Sequence, residues 1–349
     1  MRSANFSKRI DKVRDQFKSW SAKGCLIEDP LDLFYLTGMQ LSVGTLLITD
    51  KKADLLVDGR YLAAAEKNAP CTVHLASPEK LSALLKPLKS LAFDCRFTCV
   101  ERAKQLKKLY LGKLVEVVWP LKEIRAVKEP QELISMKKSA QLLWKGFLAC
   151  KRSLKVGITE KELALQFELY CRQHGAEKLA FDPIIAFGKN SAYPHYKPGD
   201  VRLKKGDIVL IDIGVVVDKY HSDMTRTLFF GKPDPRLVLI ETVVKKAQKA
   251  ALKLCKAGAK IEDLDLVSRR VAEEAGLKDL LAHSLGHGVG LAIHEYPRLS
   301  FQGEDKAVRL KAGMCITFEP GLYLPGVGGV RYEDTVVVTE KGYENFYPG

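Results

Sequence analysis

Short alternating runs of apolar and polar residues fill the first third of the chain, separated by stretches with apolar residues at helical spacing, so strands and helices are predicted in turn. A first helix over 6–22 stops at Gly24, a strand at 25–27 follows, and Asp29-Pro30 reads as a turn. A hairpin comes next, with strands 45–49 and 53–57 joined by the polar turn Asp50-Lys51-Lys52. Helix 61–67, strand 72–75, helix 81–90, a strand near Ala92, helix 100–110 and strand 114–118 complete the segment. Alternation of this kind predicts a small α/β domain over 1–120, and none of its residues forms a catalytic cluster.

The stretch from Trp119-Pro120 to about Val127 reads as a linker, so a second domain is expected over 121–349. It opens with a long helix. Pro130 suits the first turn, where its missing N–H costs nothing, and Ile134, Met136, Leu142, Leu143, Phe147 and Leu148 supply an apolar stripe. Gly157 ends the connection to the next helix, where Thr159 and Glu162 form a capping box. Beyond Gly175 a loop over 189–200 holds His195, and later helices are predicted over 234–257 and 261–275.

Between them lies a run of β-branched residues, 208–217, followed by Asp218-Lys219 and a returning strand over 225–230. With Asp218 and Lys219 as the central turn residues, Asp223 pairs opposite Gly214. The two-residue side-chain period then puts Asp212 on the same face, diagonally adjacent. Two like charges that close inside an apolar hairpin either lose their charge or recruit a cation. A solvated edge hairpin is the competing explanation, and later residues weigh against it.

Composition narrows the class without naming the chemistry. At 349 residues two domains are the default, and 46% apolar with 28% charged residues describe a soluble globular protein without a membrane span. The basic start has no apolar segment behind it, so it is not a secretory signal. Eight scattered cysteines fit reduced thiols in a cytoplasm. The net charge of +14 is spread over many helices and forms no tract, which argues against nucleic acid as the main partner; no membrane partner is expected either.

The candidate chemistry lies late in the chain. The segment from His283 to Glu295 holds His283, His287 and His294, and Gly286, Gly288 and Gly290 disfavour a helix while permitting close backbone approach. Met314 to Phe318 reads as a short strand ending in Glu319-Pro320-Gly321. A further strand over 329–338 carries Arg331 and Glu333 on one face. Asp212, Asp223, Glu319, Glu333 and one histidine give four oxygen donors and one nitrogen donor, too much negative charge for one zinc. Bridging carboxylates suit two divalent ions roughly 3.5–4 Å apart. Hard donors favour manganese, cobalt or ferrous iron over a thiolate-type zinc site.

In order along the chain, Ile211-Asp212-Ile213-Gly214, Ser222-Asp223-Met224-Thr225-Arg226-Thr227, the segment from His283 to Leu291, Phe318-Glu319-Pro320-Gly321 and Val330-Arg331-Tyr332-Glu333-Asp334 resemble the signatures of the pita-bread metallopeptidases. That group contains methionine aminopeptidase, aminopeptidase P and prolidase. Tyr35-Leu36-Thr37-Gly38 and Asp58-Gly59-Arg60-Tyr61 resemble the N-terminal domain of the last two. The resemblance implies a small α/β domain followed by a pita-bread catalytic domain, an α/β (α+β) protein.

The same resemblance implies that Asp212 holds one metal, that His287 and Glu319 hold the other, and that Asp223 and Glu333 bridge both. Manganese is the first expectation, with cobalt, iron or zinc as alternatives. Glu319 would take up the proton of an attacking metal-bridging hydroxide and pass it to the leaving nitrogen. His195 and His294 would hydrogen-bond the substrate and the oxyanion, with His283 sharing the remaining work. Arg331 would orient the carboxylates or touch substrate, and Arg298 could meet the free carboxylate of a dipeptide. The expected activity is that of an Xaa-Pro aminopeptidase, ahead of prolidase and then methionine aminopeptidase, on proline-containing peptides in a cytoplasmic homodimer. A non-catalytic peptide-binding protein is the alternative of another class.

Overall fold

The computed structural model describes residues 5–348. The chain divides into two compact units, Met1–Arg125 and Ala126–Gly349. In the first, β1 (Gly24–Ile27), β2 (Thr45–Thr49), β3 (Ala53–Val57), β4 (Thr72–Leu75), β5 (Ser90–Asp94) and β6 (Lys113–Val117) form one sheet in the order β4-β3-β2-β1-β5-β6. The consecutive strands β1, β2 and β3 pair antiparallel, whereas β3–β4, β1–β5 and β5–β6 are parallel and need helical crossovers.

The helices are α1 (Phe6–Asp15), α2 (Phe17–Trp20), α3 (Pro30–Thr37), α4 (Leu62–Asn68), α5 (Pro78–Leu85) and α6 (Val100–Leu109). The expected single helix over 6–22 is thus two, and the left-handed Ser21, at φ 55°, ends the second. Asp29-Pro30, read as a turn, instead starts α3. The Asp29 carboxylate accepts the backbone N–H of Leu31 at 2.7 Å and of Asp32 at 3.2 Å, and Pro30 fills the first helical position. The expected linker carries a further helix, α7 (Lys122–Ala126).

The second unit opens with α8 (Pro130–Ser153) and α9 (Glu160–Gln173). On α8 the buried face runs through Ser135, Met136, Ser139, Ala140, Leu143, Gly146, Phe147 and Cys150, while Ile134, expected in the stripe, is 48% exposed. Small residues occupy that face because α9 lies close. A Cβ at Gly146 would stand 2.7 Å from the Cys171 sulfur and 2.8 Å from the Phe167 ring. Complete burial of Leu143 and near-complete burial of Phe147 stabilise this contact by about 1.5–3 kcal/mol each.

The strands are β7 (Lys178–Leu179), β8 (Ile184–Phe187), β9 (Ile208–Ile213), β10 (Val215–Val217), β11 (Tyr220–His221), β12 (Met224–Phe229), β13 (Gly286–Gly288), β14 (Glu295–Leu299), β15 (Cys315–Phe318), β16 (Gly321–Leu324), β17 (Gly328–Arg331), β18 (Asp334–Val338) and β19 (Tyr343–Asn345). They make sheets in the orders β12-β9-β8, β11-β10-β7, β14-β13-β15-β18-β19 and β16-β17. One core lies between α8, α9 and the first of these sheets. Two others form around α10 (Pro235–Leu254) and α11 (Ile261–Glu274), against β15 and β18 and against β16 and β17.

The strand expected over 329–338 is interrupted at Tyr332-Glu333 and continues in a different sheet. Gly214 likewise separates β9 from β10. A Cβ there would meet the Ser222 carbonyl at 2.5 Å and the Phe181 ring at 2.7 Å, so only glycine lets the chain through. No described helix is long and apolar enough to cross a membrane.

Candidate metal centre

The hairpin fixes the first two carboxylates. Val217 pairs with Tyr220 and Val216 with His221, which leaves Asp218 and Lys219 as a two-residue turn with positive φ of 51° and 72°. Met224 pairs with Ile213 and Thr225 with Asp212 in the same register, so Asp223 stands opposite Gly214 as the sequence predicts. Both acids are buried, at 8% and 4% exposure.

The other donors arrive on strand ends. His287 lies in β13, where a Cβ at Gly286 would stand 2.1 Å from the Thr317 carbonyl and one at Gly288 would stand 2.4 Å from that of Tyr296. The glycines therefore admit the neighbouring strands and hold His287 at the site. Glu319 follows the last residue of β15, and Glu333 sits in the break between β17 and β18. One donor atom each from Asp223, His287 and Glu333 lies within 4.8 Å of the others. His287 Nε2 is 3.6 Å from an Asp223 oxygen and 3.5 Å from a Glu319 oxygen. Asp212 sits beside them, with one oxygen 2.5 Å from Arg331 Nη2 and the other, Oδ1, buried without a hydrogen-bond partner among the described residues.

Burial, then the charges of Asp212 and Glu319, push the Asp223 carboxyl well above its ordinary range. Glu333 is pushed up in the same way, with Asp223 its strongest charged neighbour. Burial raises Glu319 to about 8 while Arg331 pulls against it. His287 is driven down to about 3, first by burial and then by His294, so its ring is neutral at neutral pH. Its Nδ1 lies 3.0 Å from the Gly288 carbonyl and must donate there, which leaves the Nε2 lone pair facing Asp223 and Glu319. A neutral imidazole, an orphaned carboxylate oxygen and surplus negative charge are what divalent cations require, and the donor set fits them.

The remaining predicted residues surround this cluster. Arg331 donates to Asp212, to the Tyr323 hydroxyl at 2.6 Å and to the Thr225 hydroxyl at 3.1 Å. His283 is turned toward Tyr323. Its Nδ1 donates to the Ser284 carbonyl at 2.9 Å, so its Nε2 accepts the Tyr323 hydroxyl at 2.9 Å. The exposed His294 packs its ring edge-on to His287 at 4.4 Å. Burial, then the charge of His195, lowers the His294 pKa, which puts the exposed His195 within electrostatic reach of the site. Arg298 is exposed, and its charge acts on Glu319, His287 and His294.

Several residues given no role by the sequence hold the donors in place, Thr225, Arg226 and Asp334 from within the motifs and Thr335, Tyr347 and Tyr323 from outside them. The Thr225 hydroxyl donates to Glu333 at 2.8 Å. Thr335 and Tyr347 both donate to the Asp223 carbonyl, and Arg226 ties the Glu333 carbonyl to the Asp334 carboxylate. Tyr323 left one trace in the sequence: its hydroxyl would lie 2.4 Å from a Cβ at position 321, so the glycine of Glu319-Pro320-Gly321 makes room for it.

Comparison with known proteins agrees with this geometry. Residues 135–340 match the model of metallopeptidase family M24, and residues 9–127 match the creatinase/prolidase N-terminal domain. An Xaa-Pro dipeptidase from Pyrococcus furiosus is 35% identical over 338 residues, covering 96% of each chain. The solved structure of an Xaa-Pro dipeptidase from Bacillus anthracis superposes with a TM-score of 0.94 at 30% identity, covering 99% of this chain and 98% of that one. An X-Pro aminopeptidase from Thermotoga maritima gives 0.87 at 30% identity over 96% and 98%. Two buried aspartates, the buried Glu333, the half-buried Glu319 and a neutral histidine thus stand in a chain that belongs to metallopeptidase family M24, a pita-bread hydrolase of peptide bonds behind a creatinase/prolidase-type N-terminal domain.

Proposed function

We propose that the protein hydrolyses the bond before proline and acts first on Xaa-Pro dipeptides. The observation that carries the dipeptide reading is Arg298. Its guanidinium is exposed and its charge reaches Glu319 and both neighbouring histidines. Its side chain has the Ser284 hydroxyl at 3.4 Å and, among the described residues, no carboxylate within ion-pair range. A cation so placed suits the free carboxylate of a dipeptide. Relatives named Xaa-Pro dipeptidase support the same reading, which the sequence places second to an Xaa-Pro aminopeptidase. The second reading, cleavage of longer peptides, is favoured by the Thermotoga X-Pro aminopeptidase.

Asp212, Asp223, His287, Glu319 and Glu333 would hold two divalent ions, with manganese the first candidate by donor hardness. Bound there, such ions supply Lewis-acid polarisation of a peptide carbonyl and an acidified water. Glu319, at the edge of that donor set, would take up the proton of the attacking water and pass it to the departing proline nitrogen. His294 and His195 bind the substrate and donate to the oxygen that gains charge. Arg331, engaged with Asp212, Tyr323 and Thr225, keeps the Asp212 carboxylate oriented.

The test strips the protein with chelator, restores manganese, cobalt or zinc, and compares Gly-Pro with an Xaa-Pro-Xaa peptide. Arg298→Gln should raise KM for the dipeptide by about ten- to a hundredfold, the worth of a charge-assisted hydrogen bond of about 1.5–3 kcal/mol, and leave the longer peptide unchanged. Equal effects on both peptides would refute the carboxylate contact. Cleavage of neither with any metal would refute the enzymatic reading.

A further inference from the structure

A single buried carboxylate organises the loop that carries His195. Glu160 is the first residue of α9, after the N-cap Thr159, and its side chain is fully enclosed at 0% exposure. One oxygen accepts the backbone N–H of Phe187 at 2.8 Å and the Asn190 amide at 3.0 Å. The other accepts the Tyr196 hydroxyl at 2.8 Å and the backbone N–H of Gly199 at 2.9 Å. The start, middle and end of the 187–199 loop therefore converge on one group. Backbone bonds from Glu160 to the Val201 carbonyl and from Lys161 to that of Gly199 close the same junction.

Removing a carboxylate from water is costly unless every lone pair is used, so an apolar or neutral residue would be the cheaper occupant. What a carboxylate does here and an amide cannot is accept four donors at once. Tyr196 stays protonated as one of those donors, its pKa pushed up to about 12 by burial and then by the bond to Glu160. His195, immediately before Tyr196, is itself exposed and takes its position from these neighbours.

We propose that Glu160 is a positioning residue for the reaction: it holds His195 against the substrate through Tyr196 and Gly199. The claim rests on the substrate-binding role assigned to His195 above. Glu160→Gln leaves only one accepting oxygen, so either the Phe187-Asn190 end or the Tyr196-Gly199 end of the loop loses its anchor.

A double-mutant cycle in the metal-loaded enzyme tests the proposal. Glu160→Gln should lower kcat/KM for Gly-Pro by about ten- to a hundredfold, the scale of a small misplacement of a catalytic group. In a His195→Ala background the same change should cost less than about threefold, because coupled sites are not additive. Equal losses in both backgrounds, or no loss in the first, overturn the proposal. Tyr196→Phe, which removes one donor, repeats the cycle if Glu160→Gln does not fold.

Hydrogen exchange reads the positioning without activity. Amides of 187–199 should exchange faster in Glu160→Gln, with the rest of the unit unchanged, and unchanged exchange in that segment also overturns the proposal. If the wild type cleaves no Xaa-Pro bond with any metal, the functional reading fails while this exchange measurement still decides what Glu160 holds.

Discussion

The two units treat buried acids differently. In the first, three buried or half-buried acids each meet a basic partner, Asp32 2.8 Å from Arg125, Glu28 2.6 Å from Arg102 and Asp54 2.8 Å from His74, while the buried Asp94 accepts the backbone N–H groups of Arg96 and Trp119. In the second, Asp334 with Arg226 and Glu295 with Lys128 follow the same rule. The cluster of Asp212, Asp223, Glu319 and Glu333 does not, since Arg331 is engaged with Asp212 and, among the described residues, no lysine or arginine forms an ion pair with the other three. A matched acid is a structural element, because a basic group of this chain stands beside it. An unmatched group of acids marks a place where charge must come from outside the chain.

The largest effect expected from this contrast is on catalysis. Asp223→Asn removes a donor shared with His287 and Glu333, and kcat/KM should fall by about a thousandfold or more, equivalent to several kcal/mol of lost metal assistance. Near-normal turnover would break the metal assignment.

Stability should respond in the opposite sense. Asp32→Ala removes the carboxylate beside the buried Arg125 cation and should cost about 3–5 kcal/mol in urea unfolding. Glu333→Gln, measured in chelator, relieves repulsion and should leave the metal-free protein equally or more stable. If both variants lose stability alike, the distinction between matched and unmatched acids fails.

A smaller effect follows from pH. Glu319 titrates at about 8 when folded against an ordinary 4.5, so between those values the folded metal-free protein binds more protons than the unfolded chain. The Glu319 contribution to stability therefore falls as pH rises through that window, most plainly above 6.5, where the depressed His283 and His287 no longer oppose it. Glu319→Gln should flatten the slope, leaving the parts due to Asp223 and Glu333, also raised by burial, and to Asp32, which burial raises from 3.8 to about 7 against the pull of Arg125. Smallest of all, Glu28→Gln loosens a pair whose arginine is 27% exposed and should cost under about 1 kcal/mol.

What could be read beforehand was what local chemistry decides. The hairpin over 45–57, the Thr159/Glu162 capping box and the pairing through Asp218-Lys219 depend on neighbours in sequence, and all three are present. Asp29-Pro30 was ambiguous because an aspartate before proline serves a turn and a helix start equally well. The interruption at Tyr332-Glu333 and the roles of Glu160, Tyr323 and Tyr347 follow from contacts with distant segments. Glu160 meets Gly199 39 residues away, and Tyr347 meets Asp223 124 residues away. No periodicity records such contacts.

The turn at Asp218 and Lys219 has a consequence for how this chain can change in length. Loops are usually where a protein tolerates inserted or deleted residues, yet here one added residue would shift the pairing by one and turn every following side chain to the opposite face. Ser222 would then stand where Asp223 does, and one deleted residue would bring Met224 there. Between these two strands, residue count is as constrained as residue identity is at the site itself.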